Sequence, residues 1–209
     1  RSFKSQWVSF NNCEFNSKKL SIININNIDL FIEFNDCTFN CDVSFQNCKL
    51  DKIIFYNTKK INSLTFNCDF KKEHKIEINQ FKFSNESKKM DNKLECHFRF
   101  NGVHFKKYFE FNNIIHKKGT FNFSYNQIGN ENDKNFGSCV FNSSDLVNIS
   151  FVKNSFNNYT SFKFSKFYTQ SDGYIGSGSS FREMIFYDNK FNKFNFSEVE
   201  LFNKLSFDR

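Results

Sequence analysis

The chain contains no proline and no run of about 18 to 20 consecutive apolar residues, the length that a transmembrane helix needs. The closest approach lies in residues 22–34, which Asn24, Asp29 and Glu33 interrupt. The sequence therefore excludes a transmembrane helix within this chain. The missing proline suits a backbone whose N–H groups are all needed for hydrogen bonds between strands.

Motifs of catalysis are also missing, because the sequence has no Walker loop, no nucleophile elbow and no Ser-His-Asp pattern. Arginine occurs only at Arg1, Arg99, Arg182 and Arg209. We expect no enzymatic activity, no cofactor, and no catalytic or cofactor-binding residue. One enzymatic alternative stays open, a carbohydrate-active β-helix, which requires carboxylates or arginines clustered on one face.

Phenylalanine is the residue in excess, with 33 of 209 residues, although the mean hydropathy is only −0.60. A disordered chain would lack these aromatic residues. A chain that is both very polar and very aromatic must keep the two kinds of residue at separate, regular positions. The sequence therefore predicts a folded repeat protein.

The aromatic residues recur with a period of five. A helix would place apolar residues at i, i+3, i+4 and i+7, and a strand would alternate them, so neither explains this spacing. The chain must therefore turn once in each repeat. We predict these core anchors: Phe10, Phe15, Phe34, Phe39, Phe45, Leu50, Phe55, Phe141, Leu146, Phe151, Phe156, Phe181, Phe186, Phe191, Phe196 and Leu201.

A second position supports this frame, because an apolar or small residue lies two residues before most anchors, as Val8, Cys13 and Cys139 do. Residues i−2 and i of an extended segment point to the same side. Most of the other residues in the repeat are polar. Each repeat is therefore predicted to contain two inward side chains and then a corner, which the asparagine after many anchors suits.

The repeat resembles that of the pentapeptide-repeat family in the segments VSFNNCEFN (residues 8–16), FNDCTFN (34–40), VSFQNCKLD (43–51) and SFREMIFYDNKFNKFNFSEVEL (180–201). The chain looks like a divergent, Phe-rich bacterial member, since cysteine, valine or isoleucine often replaces the alanine that the family prefers at i−2. The resemblance implies an all-β fold, a right-handed quadrilateral parallel β-helix in which four repeats form one coil. A coil of about 20 residues then implies a β-solenoid of about ten coils.

Three stretches interrupt the repeat, at residues 71–94, 119–138 and 168–180. We predict loop insertions there, within a single solenoid domain that spans residues 1–209. Loops on a rigid scaffold often carry binding specificity, although tolerated insertion is the favoured interpretation. The chain also starts and stops abruptly, so we expect it to be a fragment of a longer protein.

The seven cysteines form an odd number, which argues against a full disulfide framework. Cys13, Cys37, Cys48 and Cys139 lie at i−2, which predicts small buried hydrophobic side chains. Without a paired CxxC motif, we expect no metal site. Buried thiols suit a reducing compartment, so we expect a cytoplasmic protein. Tethering to the inner face of a membrane, through segments outside this chain, is an open alternative.

The net charge of +7 and the isoelectric point of about 9.0 bear on the partner. Some pentapeptide-repeat proteins act on DNA gyrase through an acidic surface that mimics DNA, which a basic rod does not fit. Lysine pairs such as Lys59-Lys60 attract phosphates, so nucleic-acid binding is an alternative, although a solvated surface is favoured.

The leading hypothesis for function is a non-enzymatic structural or protein-interaction module with an unknown protein partner. The ends of a solenoid expose strand edges that must be capped or joined. A homodimer through one end of the solenoid is therefore a further expectation.

Overall fold

The structure is a computed structural model that describes residues 6–67, 76–86, 93–129, 138–142, 144–163, 166–168, 183–187, 189–197, 200–201 and 204–208. Every regular element in these residues is a β-strand. The described part of the chain has no helix that is long and apolar enough to span a membrane. The strands pair in parallel and stack into a β-solenoid, as the sequence predicts.

The described residues form 22 strands. In chain order they are β1 (Gln6–Asn11), β2 (Glu14–Phe15), β3 (Lys19–Ile23), β4 (Asn26–Asn35), β5 (Thr38–Phe39), β6 (Asp42–Gln46), β7 (Lys49–Tyr56), β8 (Ser63–Asn67), β9 (Ile76–Ser84), β10 (Lys93–Asn101), β11 (Val103–Asn112), β12 (Ile115–Ser124), β13 (Gln127–Ile128), β14 (Ser138–Asn142), β15 (Asp145–Val147), β16 (Ile149–Val152), β17 (Ser155–Lys163), β18 (Lys166–Tyr168), β19 (Glu183–Tyr187), β20 (Lys190–Ser197), β21 (Glu200–Leu201) and β22 (Lys204–Asp208).

Each coil has four anchor positions, and strand pairing aligns each position with its equivalent in the next coil. The first column contains Phe10, Phe34, Phe55, Phe83, Phe111, Phe141, Phe162 and Phe196. The second contains Phe15 with Phe39, Leu94 with His116, and Leu146 with Phe167 and Leu201. The third contains Ile22, Phe45, Phe66, Phe100, Phe123, Phe151, Phe186 and Phe207. The fourth contains Asn27, Leu50, Ile78, Phe105, Ile128, Phe156 and Phe191.

The coils are longer than the 20 residues of four ideal repeats. Between Phe10 and Phe141, the first column advances in five steps of 24, 21, 28, 28 and 30 residues. The prediction of about ten coils is therefore wrong, because residues added between the anchors lengthen most coils. The strands that join the fourth column to the first also carry register shifts, as between Asn27 and Phe31.

Phenylalanine rings fill the interior in stacked columns. Phe34 stacks on Phe55 with ring centroids 5.0 Å apart, and Phe45 stacks on Phe66 at 4.6 Å. Neighbouring columns meet edge to face, as Phe34 and Phe39 do at 5.3 Å. Both arrangements suit the quadrupole of the rings.

The predicted anchors have these positions. The structure buries Phe34, Phe39, Phe45, Leu50, Phe55, Phe141, Leu146, Phe151 and Phe156. Phe10 and Phe15 in the first coil are half-buried. Phe186, Phe191, Phe196 and Leu201 lie in strands at anchor positions of the columns, and Phe181 lies outside the described residues.

The predicted insertions overlap with strands of the solenoid. Strand β9, with Ile76, Ile78 and Phe81 buried, lies inside the range 71–94. Residues 119–124 belong to β12, and Gln127 and Ile128 form β13. These segments are therefore strands of the solenoid rather than inserted loops, because they carry inward anchors. The insertion 168–180 lies outside the described residues except for Tyr168.

The corners after the first column use left-handed backbone. Asn12, Asp36, Asn57 and Asn113 have φ between 50° and 56° and follow the anchor by two residues. The corner residue therefore lies one position later than predicted, because the prediction put it directly after the anchor. Asparagine and aspartate tolerate this conformation better than other side chains, which explains their recurrence.

At several corners, the side chain three residues after the anchor donates a hydrogen bond to the preceding coil. The thiol of Cys48 donates to the carbonyl of Ile22 at 3.3 Å, and the hydroxyl of Ser144 donates to that of Phe111 at 3.2 Å. The acceptor belongs to an anchor one coil earlier. The buried cysteines at these corners are therefore hydrogen-bond donors as well as small core residues.

Asparagine has the same donor role at the later corners of the third column. The amide of Asn126 donates to the carbonyl of Phe100 at 2.9 Å, and the amide of Asn154 donates to that of Phe123 at 2.7 Å. Asn189 continues the series, and the Oδ1 atom of Asn154 accepts from the backbone N–H of Asn126 at 2.8 Å. These three residues form a buried polar ladder that sequence analysis missed.

We predict that Asn154→Ala lowers the free energy of unfolding by about 2–4 kcal/mol, because it leaves a buried N–H and a buried carbonyl without partners. Urea denaturation followed by circular dichroism measures the change. Asn62→Ala is the control, since Asn62 is exposed and its side chain makes no hydrogen bond within the described residues. Equal midpoints for the two variants would contradict the ladder's role.

Candidate binding face

The outward side chains of the strand segments that carry the first column form one flat surface, called here the first face. Three outward positions cross it, at three residues before the anchor, one before it and one after it. The pairing of β1, β4, β7, β9 and β11 stacks equivalent positions directly. The face is therefore made of three parallel columns of side chains.

The column three residues before the anchor contains most of the exposed aromatic residues of this face. Its members are Trp7, Phe31, Lys52, Gln80, Tyr108, Ser138 and Tyr159. Trp7 is 65% exposed, Tyr108 39% and Tyr159 42%. We call Trp7, Phe31, Tyr108 and Tyr159 the aromatic edge.

The first two rings of the aromatic edge form a flat platform. Trp7 and Phe31 stack with centroids 5.6 Å apart and planes within 3° of each other. The ammonium of Lys52 lies 5.0 Å from the centroid of Phe31 on the next coil. A stacked pair with a flanking cation holds the platform in one orientation.

The middle column mixes charges of both signs. Glu33, Ile54, Lys82 and Glu110 succeed one another in register. The ammonium of Lys82 lies 3.6 Å from a carboxylate oxygen of Glu110. Lys82 is therefore already paired within this face.

A polar groove of about 490 Å³ lies on the first four coils of this face. Its volume falls in the range of about 300–1,000 Å³ that small-ligand sites occupy. The groove lies between the middle column and the corner that follows the first column. Its lining residues are Asn11, Glu33, Asn35, Asp36, Ile54, Tyr56, Lys82 and Ser84.

Hydrogen bonds order part of the groove wall. The amide of Asn35 donates to Oδ1 of Asn11 on the coil before it, at 3.0 Å. A hydrogen bond to the carboxylate of Glu86 raises the pKa of the Tyr56 hydroxyl.

The neighbouring side of the solenoid carries a closed ion-pair cluster. A carboxylate oxygen of Glu77 lies 2.6 Å from the ammonium of Lys106, and the other lies 3.5 Å from that of Lys49. Partial burial raises the pKa of Glu77, but the two ammonium groups outweigh it and lower the pKa overall. The single carboxylate of Glu77 thus pairs with two ammonium groups, and the cluster keeps a net charge of +1.

Charged residues elsewhere are interspersed. Acids occur on all four sides of the coil, as Glu14, Glu33, Asp42 and Glu77 show, rather than on one side. The exposed lysine pairs Lys18-Lys19, Lys59-Lys60 and Lys117-Lys118 lie away from the first face, and Lys106-Lys107 lies at a corner next to it. Lys71, Lys72, Lys88 and Lys89 are outside the described residues.

The cysteines and histidines form no recognisable metal site in the described part of the chain, where no three potential ligands come together. Cys37, Cys41, Cys48, Cys96 and Cys139 are buried, and Cys13 is half-buried. Burial raises the pKa of the Cys37, Cys48, Cys96 and Cys139 thiols, which keeps them protonated. His97 and His104 lie at outward positions and bond to Thr120 and to the carbonyl of Gly129.

The first face could not be predicted from the sequence because its residues vary from coil to coil. Trp7, Phe31, Tyr108 and Tyr159 share only their position three residues before a first-column anchor. An alignment of coils on those anchors would have exposed the column. An alignment on the five-residue period hides it, because only one repeat in four belongs to this face.

Comparisons with protein-family models, with curated proteins and with solved structures found no match to this chain.

His116 is a titratable residue that is fully buried in the core. It occupies the second column next to Leu94, and its Nε2 atom lies 2.8 Å from the carbonyl oxygen of Cys96. Strand β12 has one extra residue here, which makes a bulge in the backbone. Position 119 requires glycine, because its φ is 113° and a Cβ atom would lie 1.7 Å from the carbonyl oxygen of Cys96. Burial lowers the pKa of His116 to about 4.

This burial predicts a specific loss of stability in acid. The unfolded chain binds a proton at His116 below about pH 6.5, whereas the folded chain does not until about pH 4, so stability falls across that window. The contribution is up to about 3 kcal/mol. We expect His116→Leu to reduce the pH dependence of the free energy of unfolding between pH 7 and 4.5.

The readout is the slope of unfolding free energy against pH, because the lost hydrogen bond to Cys96 affects every pH alike. His97→Gln serves as the control, since His97 is exposed. The account of His116 fails if His116→Leu keeps the slope of the unmodified chain.

Proposed function

We propose that this chain is a divergent member of the pentapeptide-repeat family. Phe141, Leu146, Phe151 and Phe156 support the assignment, because these residues at five-residue spacing lie in the first, second, third and fourth columns in turn. One five-residue repeat thus forms one side of a four-sided coil in this part of the chain.

We further propose that the solenoid is a non-enzymatic interaction module that binds a protein partner through the first face. The exposed aromatic edge carries this proposal. Tryptophan and tyrosine are enriched at protein interfaces, where they supply much of the binding energy. Stacked coils also present the face rigidly, so little ordering is needed on binding.

Nucleic-acid or gyrase-directed binding is the second candidate, and the charges of the first face disfavour it. Glu33, Asp36 and Glu110 lie on or beside this face, together with Lys52 and Lys82. These charges of mixed sign do not form the continuous positive surface that a phosphate backbone attracts. The net charge of +7 also opposes a DNA-mimicking role, and the exposed lysine pairs lie away from the first face or at its corner.

Free, buried thiols support a reducing compartment, and a cytoplasmic location is part of the proposal.

The test replaces two exposed rings of the aromatic edge, in the double variant Trp7→Ser and Tyr108→Ser. Unmodified and variant proteins are used as bait in nuclease-treated native lysate, and the bound proteins are quantified by mass spectrometry. We expect partners to be captured by the unmodified chain and reduced about fivefold or more with the double variant, because the central aromatic contacts are lost.

Ile23→Ser and Tyr125→Ser together form the matched control, because both residues are exposed at the third column and its corner. The control should retain the partners. Identical protein sets for the edge variant and the control would overturn the proposal. Partners that are captured from a parallel lysate without nuclease, but not from the treated lysate, would instead support the nucleic-acid candidate.

A further inference from the structure

The polar groove is locally acidic in a basic chain. Glu33 and Asp36 line it, and the described residues offer neither carboxylate a hydrogen bond or an ion pair. Among the described lining residues, the single ammonium is that of Lys82, which is paired with Glu110. Two carboxylates are therefore available to a ligand, and the complementary charge is positive.

Ser84 is a second and independent sign of a ligand. It lines the groove, is only 3% exposed, and its hydroxyl has no hydrogen-bond partner among the described residues. Buried hydroxyl groups are normally paired, and each exception needs an explanation. A donor or acceptor supplied by a ligand in the groove would satisfy it.

The remaining wall of the groove is flat and partly apolar. Ile54 and the ring of Tyr56 lie on one coil, between the coils of Glu33 and Lys82. A planar cation is attracted to such a ring as well as to the carboxylates.

We propose that this groove binds the guanidinium group of an arginine in the partner protein. The inference rests on the proposed protein interaction and names its chemistry. Arginine fits better than lysine, because its planar fork pairs with carboxylates through two N–H groups and stacks on aromatic rings. A phosphate would meet two uncompensated carboxylates, and a neutral saccharide would leave their charge unmatched.

The test uses a fluorescein-labelled peptide of four Gly-Ser-Arg repeats and a twin in which citrulline replaces each arginine. Citrulline keeps the planar shape and removes the charge. Fluorescence anisotropy at low salt measures both affinities. We expect the arginine peptide to bind about tenfold more tightly than its twin, and added salt to weaken it.

The key variant is Glu33→Gln with Asp36→Asn, which should weaken the arginine peptide about tenfold or more. Asparagine suits the left-handed backbone of Asp36, as Asn12 and Asn57 show at equivalent corners, so folding is preserved. Glu14→Gln with Glu95→Gln is the matched control, since it removes the same two charges from other sides of the coil. Ser84→Ala should weaken binding about threefold without lowering the thermal midpoint.

Equal affinity for the two peptides would overturn the inference, and so would an equal loss with the control variant. Maltoheptaose is titrated in parallel. If it binds and loses affinity with Glu33→Gln and Asp36→Asn while the arginine peptide does not, the groove is a saccharide site and the inference is wrong. If partner capture depends on Trp7 and Tyr108 but not on Glu33 and Asp36, the inference fails and the proposed function stands.

Discussion

Hydrogen bonds between parallel strands hold the paired strand residues directly above their equivalents in the next coil. The spacing between such strands is about 4.8 Å, close to the distance at which aromatic rings stack. A side chain that suits one coil therefore suits its neighbours, and phenylalanine recurs in columns such as that of Phe34 and Phe55. The composition of the chain follows from this repetition.

The same constraint decides where polar side chains enter the core. The chain turns sharply at corners such as Asn12 and Asp36, and the strand pairing leaves anchor carbonyls near each turn to be satisfied. Cys48, Ser144 and Asn154 solve that problem with different chemical groups at equivalent places. The interior is thus a set of aromatic columns with polar donors along its corners.

The outer surface is free from this constraint. Nothing in the stack requires Trp7, Phe31, Tyr108 or Tyr159 to be aromatic, and nothing requires Glu33 and Asp36 to be acidic. The groove even lowers the stability of the fold, since the buried hydroxyl of Ser84 has no hydrogen-bond partner among the described residues. The proposed binding role explains the identities of these residues better than folding does.

Sequence reasoning succeeded where one physical demand repeats in every coil. The anchors at Phe34, Phe45 and Phe55 could be predicted because burial selects the same side chain each time. The coil length could not, because residues added between anchors leave the stacking intact. Asn154 and His116 were missed because the pattern counted only apolar and small residues at inward positions. The first face was not predicted because no residue type has to recur at regular intervals on it.

The same limits explain the insertions. Strand β9 lies in a range that reads as lysine-rich loop, because Ile76, Ile78, Phe81 and Phe83 are flanked by long polar stretches. Burial of four apolar side chains outweighs the local polar composition. The frame of the repeat is therefore more reliable than composition for locating strands in this chain.

The central claim is that residues far apart in sequence stack in register along the axis. Pulsed electron paramagnetic resonance between spin labels at Ser21 and Asn122 tests it directly. These outward positions are connected through Ser44, Thr65 and Arg99, one coil at a time. Four coil spacings predict a distance of about 19 Å between the labelled backbone positions. A single narrow distribution near that value is the expected result, and a distance beyond about 30 Å would contradict the stacking.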